Sequence, residues 1–422
     1  MSEPNSELPA PAEELAHAIA SLDSGPLDEL GVIRHLHPLF SRVLARQEIY
    51  LANHSLGRPL DQTAFDIAEA INLWYTDMDD AWTAWMAEMH AYRRRICALI
   101  DWHRPDAIVP KTSAGQGLRA VLNALPESPV RVVTTTGEFD SIDFILRSYE
   151  QRALIHVDRL GPTDNGNFSL DALIAALERR TDLVVISATY YASGQIVSGL
   201  PALIEAAHKI GALVLVDAYH AAGVVPMTEA WREADFVIGG NYKYTRGGPG
   251  ACWLAIHPRH LDVPSPKLVT TDTGWFARRN PFGFSRDNSA ERGAGGDAWL
   301  ESTPSFLIPY QTRAGLDLVL GIGVERLFTY SADLRTHLTY ALDRAGVATR
   351  PNNGQGLFVL IPTRDPARDL ASLKAAGVNA DARPHPIGDG SSSIRCYPDL
   401  LNTRAELDEA ASRIGRALSA RG

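Results

Sequence analysis

The sequence predicts a large α/β domain built on a mostly parallel sheet, with a smaller α+β domain after it. Two patterns carry that expectation. Runs that are apolar almost throughout, among them RVVTTT (131–136), LVVISAT (183–189), ALVLVD (212–217) and DFVIGG (235–240), alternate with stretches of helical periodicity. Strands lacking an apolar–polar alternation are buried on both faces, which is the mark of a parallel sheet covered by helices. Past about residue 315 the regular alternation gives way to a mixture of helices and strands.

The elements follow in order. The first dozen residues, acidic and Pro-rich, read as disordered. DDAWTAWMAEMHAYRRRICALIDW (79–102) places apolar residues at three- and four-residue spacing, which predicts a helix, with Trp82 and Trp85 in a core or interface and Arg93–Arg95 on a solvated face. AIVP (107–110) and the later apolar runs each precede a helix, and Ser169 is placed to cap the one in SLDALIAALERR. Thr403 and Glu406 have the spacing of a capping box at the start of the last helix. The expected division is an N-terminal segment, 1–60, that joins the small domain, a large domain at 61–312 and a small domain at 313–422.

Composition narrows the function. Forty basic and fifty acidic residues give a formal net charge of −10, which argues against a nucleic-acid or anionic-membrane partner. Any anion site must then be built locally, from arginines, loop amides and helix N-termini. Three cysteines (Cys97, Cys252, Cys396) form no C-x-x-C pair or disulfide framework and read as packing residues in a reducing compartment. No apolar run is long enough to span a bilayer, and the N-terminus lacks the pattern of a signal peptide, so a cytoplasmic protein is expected. His35 and His37 have no partner cluster, and no metal site is expected.

Two constellations point to chemistry. Asp217 ends one apolar run, His220 follows three residues later, and Lys243 lies just past the next run. Ligands of such sheets collect beyond the carboxyl ends of the strands. An acid and an amine at neighbouring strand ends suit pyridoxal phosphate, which needs a lysine for its Schiff base and an acid at the pyridine nitrogen. PKTSAGQGLRAVL (110–122) is a hydroxyl-rich turn into a helix, where Thr112 and Ser113 offer a phosphate cradle. The same stretch has a rival reading: Gly115, Gly117 and Ala120 match a dinucleotide fingerprint, with Glu138 as its acid and a nicotinamide-dependent oxidoreductase as the function.

Four motifs in order resemble the class V aminotransferases, and within them the kynureninase-like branch. They are IYLANHSLGRP (49–59), the stretch from VDAYH (216–220) to NYKYTRGGPG (241–250), TGWF (273–276) and SIRCYPDLLNT (393–403). The resemblance implies an aspartate-aminotransferase-like fold with a seven-stranded sheet, pyridoxal phosphate as cofactor and a homodimer with active sites at the subunit boundary. It implies Lys243 as the Schiff-base lysine, Asp217 at the pyridine nitrogen, His220 on the cofactor's oxygen side and Phe139 stacked on the ring. Tyr242, Trp275, Thr112 and Ser113 would contact the phosphate, and Thr303 would reach in from the second subunit. Arg395 would clamp the substrate carboxylate, with Ser55 and His54 beside it; Arg383 reads as a second carboxylate contact or a loop ion pair.

Several positions near the substrate depart from the kynureninase pattern. Ala52-Asn53-His54-Ser55 stands where that branch has Asp-Gly-Asn-Ser, Ile142 where it has an acid, and Tyr190-Tyr191-Ala192-Ser193-Gly194 where it has Asn-Tyr-Lys-Thr-Gly. Such changes alter hydrogen-bonding groups around an unchanged cofactor frame. The expected activity is cleavage on the β-side of an α-amino acid, of a C–S or C–C bond, in specialised metabolism. The alternatives are kynurenine hydrolysis and a decarboxylating, deaminating or aminotransferase variant.

Overall fold

The structure, a computed structural model, describes residues 12–126, 128–227, 231–262, 267–284, 291–351 and 356–419. The disorder expected of the first dozen residues falls almost entirely outside that range. The strands are β1 (Ile49–Tyr50), β2 (Ile108–Lys111), β3 (Val130–Thr135), β4 (Ile155–Leu160), β5 (Leu183–Ser187), β6 (Leu213–Asp217), β7 (Phe236–Gly240), β8 (Cys252–Ile256), β9 (Val359–Thr363), β10 (Val378–Asn379), β11 (Asp381–Pro384) and β12 (Ser392–Cys396). Seven of them form one sheet in the order β2-β8-β7-β6-β5-β3-β4. Five are parallel neighbours, and β8 runs antiparallel to both β7 and β2. Every residue of β5, β7 and β8 is buried, as unbroken apolar runs require of strands covered on both faces.

The edge position of β2 removes the dinucleotide reading. That fingerprint follows a strand inside a parallel sheet, whereas β2 pairs only with antiparallel β8. The glycines have a packing role instead. A Cβ at Gly117 would lie 2.8 Å from Ile238, so the helix Ala114–Leu122 sits close against the sheet.

A second sheet, β11-β12-β9, is antiparallel. The N-terminal segment pairs with this part of the chain through β1, parallel to β10 in a separate two-stranded sheet, and through Ala52, bridged to Tyr397 just past β12. Ser169 caps its helix by accepting from the Ala172 N–H at 3.2 Å. Thr403 accepts from the Glu406 N–H at 3.1 Å, while the Glu406 carboxylate turns to Asn402 rather than completing the box.

Arg93 and Arg95 correct the expectation of a solvated face. Both are buried: Arg95 forks onto Asp317 and reaches Glu88, and Arg93 meets Asp297. Asp297 and Asp317 lie more than 200 residues further on, out of sight of local periodicity. No helix among the described residues is long and apolar enough to cross a membrane.

The loop that follows β7 is held from two sides. The Gly57 N–H donates to the Tyr242 carbonyl at 2.8 Å, and a Cβ at Gly57 would fall 1.9 Å from the Lys243 carbonyl oxygen. From the other side, a Cβ at Gly315 would fall 2.0 Å from the Thr245 carbonyl. We therefore expect Gly57→Ala to cost about 1–3 kcal/mol, the range for overpacking. Gly161→Ala, where no atom lies within 4 Å of the added methyl, should leave stability unchanged; thermal melts of the two variants check this.

Candidate active site

The carboxyl ends of β5, β6 and β7 open onto a cavity of about 220 Å³. Asp217, at the end of β6, His220 and Lys243 line it, with Phe139, Tyr219 and Tyr242 as aromatic walls and Thr112 and Ser113 at its far end. Lys243 Nζ lies 5.4 Å from the Phe139 ring centre, 4.7 Å from Tyr219 and 5.5 Å from Tyr242. It also sits 2.5 Å from His220 Nε2. Burial lowers the pKa of the amine from its ordinary value, against the opposing pull of Asp217, and burial raises that of the Asp217 carboxyl. Burial likewise pushes His220 well down, with Lys243 and Arg395 acting in the same sense. A lysine so placed is a nucleophile and a base at neutral pH, not a fixed cation.

The helix Ala114–Leu122 points its N-terminus at the same cavity. Ser113 caps it, accepting from the Gln116 N–H, while both the N–H and the hydroxyl of Thr112 donate to Gln116 Oε1. Thr189 Oγ1, on the cavity wall, is buried and has no hydrogen-bond partner among the described residues. A lysine of lowered pKa, an acid at the next strand end, an aromatic face, a helix N-terminus and an unspent hydroxyl together match what pyridoxal phosphate requires.

Arg395, on β12 of the second sheet, does not line this cavity itself but bonds the backbone of Tyr191, which does. Its Nε donates to Asp381 Oδ1 at 2.8 Å, its second terminal nitrogen to Asp381 Oδ2, and its first to the Tyr191 carbonyl. These bonds use three of the five guanidinium N–H groups and leave one on each terminal nitrogen. Two N–H groups of this kind are suited to a carboxylate. Although burial pushes Asp381 up, His54 and Arg395 hold its carboxyl well below the usual range.

The structure therefore brings together Lys243, Asp217, His220, Phe139, Tyr242, Thr112 and Ser113 around one cavity. Ser55 and His54 do not line it. Both donate to Asp381, at 3.0 and 2.8 Å. Arg383 is an ion pair, 3.4 Å from Asp381. Trp275 and Thr303 bond each other at 3.1 Å and do not line the Lys243 cavity of their own chain. Asp381 escaped the sequence reading, because only the β11–β12 register, which sets Asp381 opposite Arg395, reveals it. Ile142 lines the cavity, and the displaced Asp143 pairs with Arg147 and Arg159 instead.

The aminotransferase class-V family profile matches residues 75–346, more than half of the chain. The chain belongs to that family. It is a pyridoxal-phosphate-dependent enzyme of the kynureninase-like type, as its motifs imply. The kynureninase of Geobacillus thermodenitrificans is 25% identical over 401 residues, covering 90% of each chain. The cysteine desulfurase CsdA of Escherichia coli shares the fold at a TM-score of 0.74 and 16% identity, with 88% of this chain and 95% of that one covered. A cysteine desulfurase of Thermococcus onnurineus does so at 0.75 and 17%, covering 91% and 98%.

Glu138, the acid of the discarded dinucleotide reading, is buried against Ser187 of the cavity wall. It accepts from Thr135 Oγ1 at 2.8 Å and Ser187 Oγ at 2.6 Å, and burial pushes its pKa up to about 8. Its folded pKa exceeds its unfolded one, so the native state holds the extra proton between the ordinary value of 4.5 and about 8. Stability from this group falls as pH rises through that window. Denaturant melts should show wild type losing stability relative to Glu138→Gln from about pH 4.5 to 8, with a level difference on either side.

Proposed function

We propose that the protein cleaves a bond on the β-side of an α-amino acid, of the C–S or C–C type, with Lys243 as the catalytic base. One observation carries this reading. A buried lysine of lowered pKa and a buried acid line one cavity, and an arginine bonds the backbone of Tyr191 on its wall. Lys243, Asp217, Phe139 and the Thr112–Ser113 turn would hold the cofactor by its aldehyde, pyridine nitrogen, ring face and phosphate.

When bound, pyridoxal phosphate supplies the electron sink that stabilises negative charge at Cα. The chain does the rest. The free fork of Arg395 takes the substrate carboxylate and fixes which Cα bond faces Lys243. The Lys243 amine, its pKa lowered by burial to about 7, takes the Cα proton in its neutral form. His220, neutral and in contact with that amine, keeps a second cation away from it. The apolar side of Ile142 and the phenol of Tyr191, which bonds Asp140 at 3.2 Å, bound the space for the side chain.

Kynurenine hydrolysis remains the second reading, favoured by curated relatives that carry the name kynureninase. Against it stand Ile142 and the Tyr190–Gly194 turn, where that branch has polar side chains.

We also infer a homodimer. Trp74, Tyr75, Met78, Phe282 and Phe284 are exposed large apolar residues, and Trp82 packs against Phe282, Trp275 and Phe306 beneath them. A face of this kind favours burial against a second copy. It would also carry Trp275 and Thr303 to the partner's cofactor.

The purified protein loaded with pyridoxal phosphate should show a visible absorbance band that Lys243→Ala loses. Asp217→Asn should keep the cofactor and lose turnover by roughly 10²-fold or more. Pyruvate with free thiol from a cysteine conjugate would support C–S cleavage, and anthranilate with alanine from kynurenine would favour the second reading. A protein that takes up no cofactor overturns both.

A further inference from the structure

Asp381 accepts two hydrogen bonds on each oxygen, and Arg383 stands by Oδ2 as a further ion-pair partner at 3.4 Å. Oδ1 takes Arg395 Nε at 2.8 Å and His54 Nε2 at 2.8 Å; Oδ2 takes the terminal nitrogen of Arg395 and Ser55 Oγ at 3.0 Å. One member of each pair is the arginine and the other belongs to the N-terminal segment. That segment is fixed in turn to the lysine loop, through the Gly57 N–H on the Tyr242 carbonyl and the backbone approach at Gly57. A continuous path therefore runs from the Lys243 loop through Gly57, Ser55 and His54 to Asp381 and the guanidinium of Arg395. The two ends of that path, an amine and a cation on different sheets, must hold a fixed separation for one small amino acid to meet both.

His54 is the least replaceable link. It is fully buried, at 0% exposure, and burial together with Arg395 lowers its pKa to about 4. Because a carboxylate only accepts, the neutral ring must carry its proton on Nε2, which fixes the tautomer. Its Nδ1 is buried and has no hydrogen-bond partner among the described residues, so the bond to Asp381 is the one the ring makes there. The Phe358 ring lies 4.7 Å from the His54 ring and 5.3 Å from the Arg395 guanidinium carbon, and it wedges the two apart. His54 also stands where the kynureninase-like pattern has Asn, so this link is a feature of this chain's own sequence.

We propose that His54 is a positioning residue for the substrate carboxylate. Acting through Asp381, it aims the free fork of Arg395 and sets its distance from Lys243. This rests on the proposed role of Arg395 and extends it to a selectivity: the site prefers amines that carry an α-carboxylate, and His54 sets how strongly.

The test uses the cofactor-loaded enzyme and two probes that differ only in the carboxylate, L-alanine and ethylamine, each titrated against the cofactor's absorbance band. Wild type should bind alanine more tightly. His54→Leu should weaken alanine by about tenfold, the weight of one hydrogen bond to a charged group, and leave ethylamine unmoved. His54→Gln, which can still donate to Asp381, should recover most of the loss. Should His54→Leu fail to fold, Ser55→Ala carries the same test, with alanine weakened by about threefold and ethylamine again unmoved. Equal weakening of both probes, or unaltered discrimination in these variants, overturns the role of His54. Equal binding of both probes by wild type instead overturns the carboxylate clamp itself.

Discussion

The buried carboxylate of Asp399 is the clasp on which the rest of the site depends. Arg246, three residues past Lys243, reaches it at 2.5 Å, and Arg58, next to Gly57, reaches it at 2.8 Å. Arg58 also donates to Asn53 and Asn402, and Arg246 to the Arg58 carbonyl. Although burial pushes Asp399 up, the two arginines hold its carboxyl below the ordinary value. Removing one partner from so buried a group leaves a charge without compensation, at a cost of roughly 3–5 kcal/mol. Three distant pieces of chain, the N-terminal segment, the lysine loop and the C-terminal segment, are thus locked to one point.

Around that clasp the site divides into charged and uncharged parts. Asp381 and Asp399, each between cationic or polar donors, are held ionised. Lys243, His220 and His54 are driven toward their neutral forms by burial, and Glu138 toward its protonated form. The pattern follows from supply. A buried acid stays charged where an arginine meets it and takes up a proton where only hydroxyls do. The outcome is an ionised arginine–carboxylate network beside a lysine driven toward its neutral form.

The sequence by itself determined the fold class and the floor of the site. Unbroken apolar runs announced the parallel sheet, because strands covered on both faces need no alternation. Asp217 and Lys243 were legible because each ends an apolar run, and strand ends meet where such sheets bind ligands. The motifs at 49–59, 241–250 and 393–403 carried the family. Only the tertiary structure decided what those motifs do to one another. Arg93 and Arg95 look solvated on their helix, yet Asp297 and Asp317 bury them. His54 and Ser55 look like substrate contacts, yet they serve Asp381. Gly115 and Gly117 look like a nucleotide loop, yet Gly117 is where the helix meets the sheet and Gly115 is where it meets Ile145 of the next helix. In each instance the deciding partner lies tens to hundreds of residues away. Local periodicity reports which face of an element is apolar, but it carries no information on which distant charge will be brought against it.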